Sequence, residues 1–254
     1  MTPKKQIAVL GSTGSIGVQT LDIISEYPDR FRACLLVAGN NVDLLIKQAI
    51  KYKPDLAIIA NETLYSTLKE ALKGYGIATA SGAKAIAEAM SLPQIDIVVT
   101  ATVGYSGLEP TLHAIEAGKQ IALANKETLV VAGELVTEKL KSSSSKVIPV
   151  DSEHSAIYQC LVGENRESIR RLLITASGGP FRTKTVEELQ HVTVSDALSH
   201  PNWSMGAKIT VDSATMLNKA FEIIEAHWLF GISPDKIEAV VHPQSIVPVS
   251  YTHL

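Results

Sequence analysis

Long apolar runs are missing from this 254-residue chain. None approaches the ~20 consecutive apolar residues that a membrane-spanning helix needs, so no membrane partner is expected. Positive charge is not in excess either. Lys and Arg number 23 against 26 Asp and Glu, leaving a net charge of -3, which gives no sign of nucleic-acid or anionic-membrane binding. The N-terminal apolar run Ile7–Leu10 stops at Gly11, too short for a signal sequence. Only two cysteines occur, Cys34 and Cys160, each in apolar surroundings. They read as two small core residues in a reducing compartment rather than a disulfide, and a bacterial-type cytoplasm is expected. The composition, 46% hydrophobic and 19% charged, argues against disorder. The length allows one or two domains with a large core.

What is present is an alternation. Residues 6–10 (QIAVL) read as a short buried strand, followed at once by GSTGSIG and an amphipathic stretch to Glu26, ended by Pro28. A glycine turn between a strand and a helix is the context in which such a motif binds a dinucleotide. Gly11 permits the tight turn, Gly14 lets backbone approach a pyrophosphate, and Gly17 allows close helix packing, with the helix N-terminus turned to phosphate. A plain glycine-rich turn is the competing reading. Further strand-like runs lie at 33–38, 56–60, 96–100, 120–124 and 146–150, with helical stretches such as VDLLIKQAIKY and ETLVVAGELVTEKL between them. This pattern predicts a Rossmann-like, doubly wound parallel sheet of the α/β class over residues 1–150, binding its ligand at the C-terminal strand ends. The second strand ends in Ala38-Gly39-Asn40-Asn41. No carboxylate stands there to receive a ribose 2′-hydroxyl, which favours NADP over NAD, although no Lys or Arg stands there either.

The second half concentrates polar residues. Asp151 and Glu153 are two apart at a strand end, and an extended backbone would point both one way. With Glu222 they would suit a hard divalent cation such as magnesium or manganese; helix N-capping explains the same segment equally well. RLLITASGGPFR reads as a strand ending at Ser177-Gly178-Gly179-Pro180, a phosphate-binding turn or a simple one. After the loop around Trp203 and Gly206, a single helix is expected to run to about Phe230, stopped by Gly231. Its apolar stripe would be Ala214, Leu217, Phe221, Ile224 and Trp228, with Asn218, Lys219 and Glu222 as a polar patch. Ser213 and Thr215 at its start would cap it, bind phosphate, or both.

The motifs GSTGSIG (11–17), LANKE (123–127), PVDSEHSAI (149–157), ASGGPFR (176–182), HPNWSMG (200–206), ITVDSATMLNK (209–219) and HPQSIV (242–247) resemble those of the 1-deoxy-D-xylulose 5-phosphate reductoisomerases. The likeness runs from about residue 5 to about residue 247. It implies NADPH and a divalent metal (magnesium or manganese, with cobalt as a further option) as cofactors. It also implies a small phosphorylated sugar as substrate and a homodimer. Thr13, Gly14, Ser15 and Ile16 resemble the residues that hold the cofactor pyrophosphate. Gly39, Asn40 and Asn41 match the adenosine end; Asn125, Glu127 and Gly206 match the nicotinamide side. Asp151, Glu153 and Glu222 match metal ligands. Lys126, Ser152 and His200 match contacts near the reacting carbons, and Ser177, Ser213, Asn218 and Lys219 match the phosphate set. Trp203 falls in the family's mobile loop. Asn40 and Ala207 stand where members often carry basic residues. Residues 151–247 would form a smaller α+β catalytic and connective domain. The tail 248–254 does not fit the family pattern, which implies a chain stopping short of a further helical domain. Another NADP oxidoreductase of semialdehyde-dehydrogenase type, using a nucleophilic cysteine, and an inactive nucleotide-binding fragment are the alternatives.

Overall fold

The computed structural model describes residues 3–199 and 206–244. The chain divides into two compact units, Met1–Ile148 and Pro149–Leu254. The first unit runs β1 (Lys5–Leu10), α1 (Ser15–Glu26), β2 (Phe31–Ala38), α2 (Val42–Tyr52), β3 (Leu56–Ile59), α3 (Tyr65–Ala71), β4 (Ala78–Ser81), α4 (Ala83–Ala89), β5 (Ile97–Thr100), α5 (Leu108–Glu116), β6 (Gln120–Leu123), α6 (Glu127–Lys141) and β7 (Val147–Pro149). The sheet order is β4-β3-β2-β1-β5-β6-β7. Strands pair in parallel, with Leu10 opposite Val37 on one side and Thr100 on the other. Near-continuous apolar strands such as Ile7–Leu10 and Ala33–Ala38 are buried throughout, as parallel strands covered on both faces must be. Val9, Leu36, Leu45, Ile59 and Leu68 share one core cluster. The strand order reverses between β1 and β5, so ligand is expected at their C-terminal ends.

Four local features explain where elements begin and end. Helix α2 is capped by the Asn41 side chain, which accepts from the Leu44 N–H at 3.1 Å; it ends at Lys53 in the left-handed region. Helix α1 starts at Gly14 with no side-chain cap, leaving its first N–H groups for a ligand. Helix α6 is kinked at Ala132. Strand β4 escapes the apolar-run test because ATAS at the sheet edge is short and polar, as an edge strand can be.

The second unit contains α7 (Ser152–Cys160), β8 (Leu172–Ala176), α8 (Val186–Leu189), α9 (Val194–Ala197), α10 (Ala207–Ala214), α11 (Leu217–Phe230) and β9 (Ile237–Val241). β8 and β9 form a two-stranded parallel sheet. Leu172, Ile174, Ala226, Phe230 and Ile237 build its core.

The single helix expected up to Phe230 is broken. Met216 adopts φ 61, a left-handed residue between α10 and α11. Ser213 therefore lies in the last turn of α10 and Thr215 is its C-cap, so neither caps α11. The stop at Gly231 is as expected, with its N–H on the His227 carbonyl at 2.9 Å. The expected apolar stripe is not the buried face. Leu217 and Ile224 are exposed, whereas Lys219, Glu222, Glu225, Ala226 and Phe230 are buried. Charges can take the inner face here because they are paired with one another. Among the described residues no helix is long and apolar enough to cross a membrane.

Candidate functional site

In the first unit the glycine loop has the close packing its sequence implies. Gly11 has φ 80, and a Cβ there would run into the backbone of Ala101; a Cβ on Gly17 would strike the backbone of Gly11 and Ser12. At Gly14 a Cβ would meet only ordinary contacts, so this glycine leaves room for an approaching ligand. Thr13, Ser15 and Ile16 flank it at the start of α1. The Ser12 carbonyl accepts from buried Gln48 on α2 at 2.8 Å, fixing the loop from behind. The hydroxyls of Ser12, Thr100 and Thr102 are buried without a protein partner. All three lie at the C-terminal ends of β1 and β5. A dinucleotide therefore fits this crevice: it has a cradle that side chains would fill, and polar atoms awaiting a ligand or water.

Gly39, Asn40 and Asn41 are exposed at the end of β2. Asn125 is 1% exposed. Its amide donates to the carbonyls of Thr102 (2.8 Å) and Gly104 (2.9 Å) and accepts from the Thr128 N–H (2.8 Å) and hydroxyl (2.6 Å). That amide is committed to joining the β5 loop to the start of α6, so it shapes the crevice. Lys126 and Glu127 are half-buried at that helix start.

In the second unit Asp151, Glu153 and Glu222 converge. One carboxylate oxygen from each lies within 4.8 Å of the others. The segment 151–153 is not extended; Asp151 is the N-cap of α7, accepting from the Glu153 N–H at 3.2 Å. Capping and convergence thus coexist at one residue. The Ser152 hydroxyl donates to Glu153 at 2.6 Å. Lys219, buried between the acids, donates to Glu153 Oε1 at 3.0 Å and to Glu222 Oε2. Burial opposes its charge most strongly, yet the Glu222 and Glu153 carboxylates together outweigh it and hold the ammonium above its ordinary pKa. Asn218 donates to Glu222 Oε1 at 2.5 Å. Three carboxylates with no sulfur ligand suit magnesium or manganese, and the ammonium supplies the positive charge that three acids so close require.

Of the phosphate set, Ser177 and Ser213 come together. A Cβ on left-handed Gly179 would strike the Ser213 carbonyl, and Ser177 Oγ accepts from the Gly179 N–H at 3.3 Å. Asn218 and Lys219, of the same set, hydrogen-bond within the carboxylate cluster. Gly206 is exposed as the N-cap of α10. His200 and Trp203 lie outside the described residues.

One functional candidate escaped the sequence reading. His154 is buried, with Nε2 2.9 Å from the Glu222 carbonyl, so it donates there and ties α7 to α11. Its Nδ1 faces Glu225 at 3.6 Å and Asp151 at 3.7 Å. The signal was available: His154 is inside PVDSEHSAI, and Glu225 stands one turn after Glu222. Cys160 corrects the expectation of two core cysteines. Cys34 is buried, but Cys160 is exposed at the end of α7, lining an apolar groove with Ile157, Leu172 and Val240. A run of apolar neighbours in sequence did not bury it because the helix turns it outward.

Comparison with known proteins gives two family matches. Residues 7–133 match the model for 1-deoxy-D-xylulose 5-phosphate reductoisomerase, and residues 147–230 match the model for that enzyme's C-terminal domain. The curated relative from Porphyromonas gingivalis, a 1-deoxy-D-xylulose 5-phosphate reductoisomerase, is 60% identical over 244 residues, covering 96% of this chain and 63% of the relative. That from Bacteroides fragilis is 57% identical with the same coverage. The chain thus spans about 63% of the length of these relatives. Among solved structures, the Zymomonas mobilis reductoisomerase in complex with NADPH superposes with a TM-score of 0.90 at 46% identity, covering 97% of this chain and 63% of that one. A reductoisomerase in complex with NADPH, fosmidomycin and magnesium superposes with a TM-score of 0.90 at 41% identity, covering 95% and 62%.

Proposed function

The chain belongs to the 1-deoxy-D-xylulose 5-phosphate reductoisomerase family, and from that premise we propose that it carries out, as part of a protein of its relatives' length, the NADPH- and metal-dependent conversion of 1-deoxy-D-xylulose 5-phosphate to 2-C-methyl-D-erythritol 4-phosphate in isoprenoid biosynthesis. The observation that carries this reading is the convergence of Asp151, Glu153 and Glu222, three residues that both their chemistry and the family resemblance mark as metal ligands. When bound, magnesium or manganese supplies Lewis acidity toward the substrate's oxygens, and NADPH supplies the hydride.

The chain's own residues then divide the work. Thr13–Ile16 and the free N–H groups of α1 hold the pyrophosphate. Asp151, Glu153 and Glu222 hold the cation, and Asn218 fixes the Glu222 carboxylate through its 2.5 Å hydrogen bond. Ser177, Ser213 and the Gly178-Gly179 turn anchor the substrate phosphate, orienting the reacting end by remote binding. Lys126 adds positive charge near the reacting carbons. Lys219, seated against Glu153 and Glu222, neutralises the acids until the cation enters. The reading includes a homodimer, which rests on the family resemblance, and a cytoplasmic location, which rests on the reading of the cysteines and the N-terminus.

The test is NADPH consumption on adding 1-deoxy-D-xylulose 5-phosphate and manganese, in this chain and in a version completed to its relatives' length. The completed protein should turn over only with substrate and metal together, and the 254-residue chain weakly or not at all. Metal-independent consumption, or none in the completed protein, refutes the assignment.

A further inference from the structure

Asn61 follows β3 and belongs to none of the motifs above. We propose that Asn61 is the residue that sets dinucleotide preference in the first unit, by fixing which face of the Asn40 amide is left for the ribose 2′ position. The proposal rests on the reading of Gly39–Asn41 as the adenosine end of the cofactor site.

The amide orientations follow from one unambiguous donor. The backbone N–H of Thr63 donates to the Asn61 side chain at 3.1 Å, and the Thr63 hydroxyl donates to the same atom at 2.7 Å. A backbone N–H can only donate, so that atom is the Asn61 oxygen, and the other is its nitrogen. This nitrogen lies 3.0 Å from the Asn40 side chain, whose partner atom must accept and is therefore the oxygen. The Asn61 backbone N–H also holds the Gly39 carbonyl at 3.1 Å. At the next residue, the Asn41 oxygen is committed to the Leu44 N–H. Each asparagine oxygen at the end of β2 thus already accepts a hydrogen bond, and the N–H groups of the exposed Asn40 amide remain as donors for a ligand. The acid beside Asn61, Glu62, is packed against Gly82 at the start of α4.

That arrangement discriminates by hydrogen-bond polarity. An NAD site needs an acceptor for the 2′-hydroxyl, usually a carboxylate. A 2′-phosphate offers acceptors only and makes charge-assisted bonds to N–H donors. An exposed Asn40 amide whose oxygen is held by Asn61 presents its donors, which favours the phosphate even though no Lys or Arg stands in Gly39–Asn41.

The experiment measures dissociation constants of NADP+ and NAD+ by calorimetry on this 254-residue chain. Asn61→Ala should lower the preference for NADP+ roughly tenfold, mainly by weakening NADP+, since hydrogen bonds to charged groups are worth about that factor or more. Asn61→Asp keeps the acceptor for Thr63 but cannot donate; it should take an N–H of Asn40, turn the Asn40 oxygen outward and lower the preference further. In an Asn40→Ala background, Asn61→Ala should leave the preference unmoved, which a merely structural role would not produce. Equal weakening of both dinucleotides, an unchanged ratio, or the same shift without Asn40 overturns the role of Asn61. Failure of the unmutated chain to bind either dinucleotide overturns the underlying reading of the first unit as well.

Discussion

Lys219→Met should make the second unit depend on divalent metal for its stability. In the structure the Lys219 ammonium donates to Glu153 and Glu222 while its side chain is 7% exposed. At an effective dielectric of about 20, opposite unit charges about 3 Å apart attract by roughly 5 kcal/mol. Desolvation of the ammonium takes back a large part of that. Removing it does more than forfeit the difference, because it leaves Glu153 and nearly inaccessible Glu222 facing Asp151 without the Lys219 charge. Breaking a buried pair in this way destabilises by about 3–5 kcal/mol, and partial exposure of Glu153 places the expectation at about 3 kcal/mol. Methionine keeps the length and apolar stem, so the change isolates the charge. Magnesium at about 100 times its dissociation constant returns about 2.7 kcal/mol, close to the loss. Its apparent affinity should also tighten, since it no longer competes with an ammonium. The assay is urea denaturation of both proteins in EDTA and in saturating magnesium. Equal stability of the two in EDTA, or no greater stabilisation of the variant by magnesium, refutes the view of Lys219 as stand-in counter-charge.

Two further substitutions separate roles that one residue combines. Asp151→Asn keeps an oxygen for the Glu153 N–H, so α7 should remain capped while manganese affinity falls at least tenfold by titration; Asp151→Ala should lose both, with about 1 kcal/mol less stability. Equal manganese affinity in Asp151→Asn and the parent removes Asp151 from the ligand set. Burial, the largest influence, pushes the Cys34 thiol from 9.0 up to about 11. The folded thiol therefore holds its proton more tightly than the unfolded one, and its contribution is present below about pH 9 and lost as pH rises toward 11. The shift corresponds to about 2–3 kcal/mol. Cys34→Ala should flatten the stability profile over that window, and a thiol reagent at pH 8 should modify Cys160 alone. Rapid labelling of Cys34 in the native protein contradicts its burial.

Local chemistry determined much of this protein before any coordinates. The parallel sheet is legible because strands buried on both faces must be continuously apolar, and helix α1 because glycine, helix and proline punctuate the chain in order. The carboxylates and their joint role were legible through residue chemistry and motifs, but the geometry of their meeting was not. Asp151 and Glu222 are 71 positions apart, and only the packing of α7 and α11 around His154 closes that gap. Where the sequence misled, periodicity was the cause. Leu217, Phe221, Ile224 and Trp228 form a stripe that a rule of apolar burial turns inward. Tertiary structure turned Lys219, Glu222 and Glu225 inward instead, because α7 and α11 together supply these charges with partners. A left-handed Met216 and a two-residue break between α10 and α11 leave no local signature, since methionine has no preference for that conformation. Asn61 shows the same division. Sequence places it in an ordinary turn after a strand, and only the sheet, which lays β3 beside β2, brings its amide to Asn40.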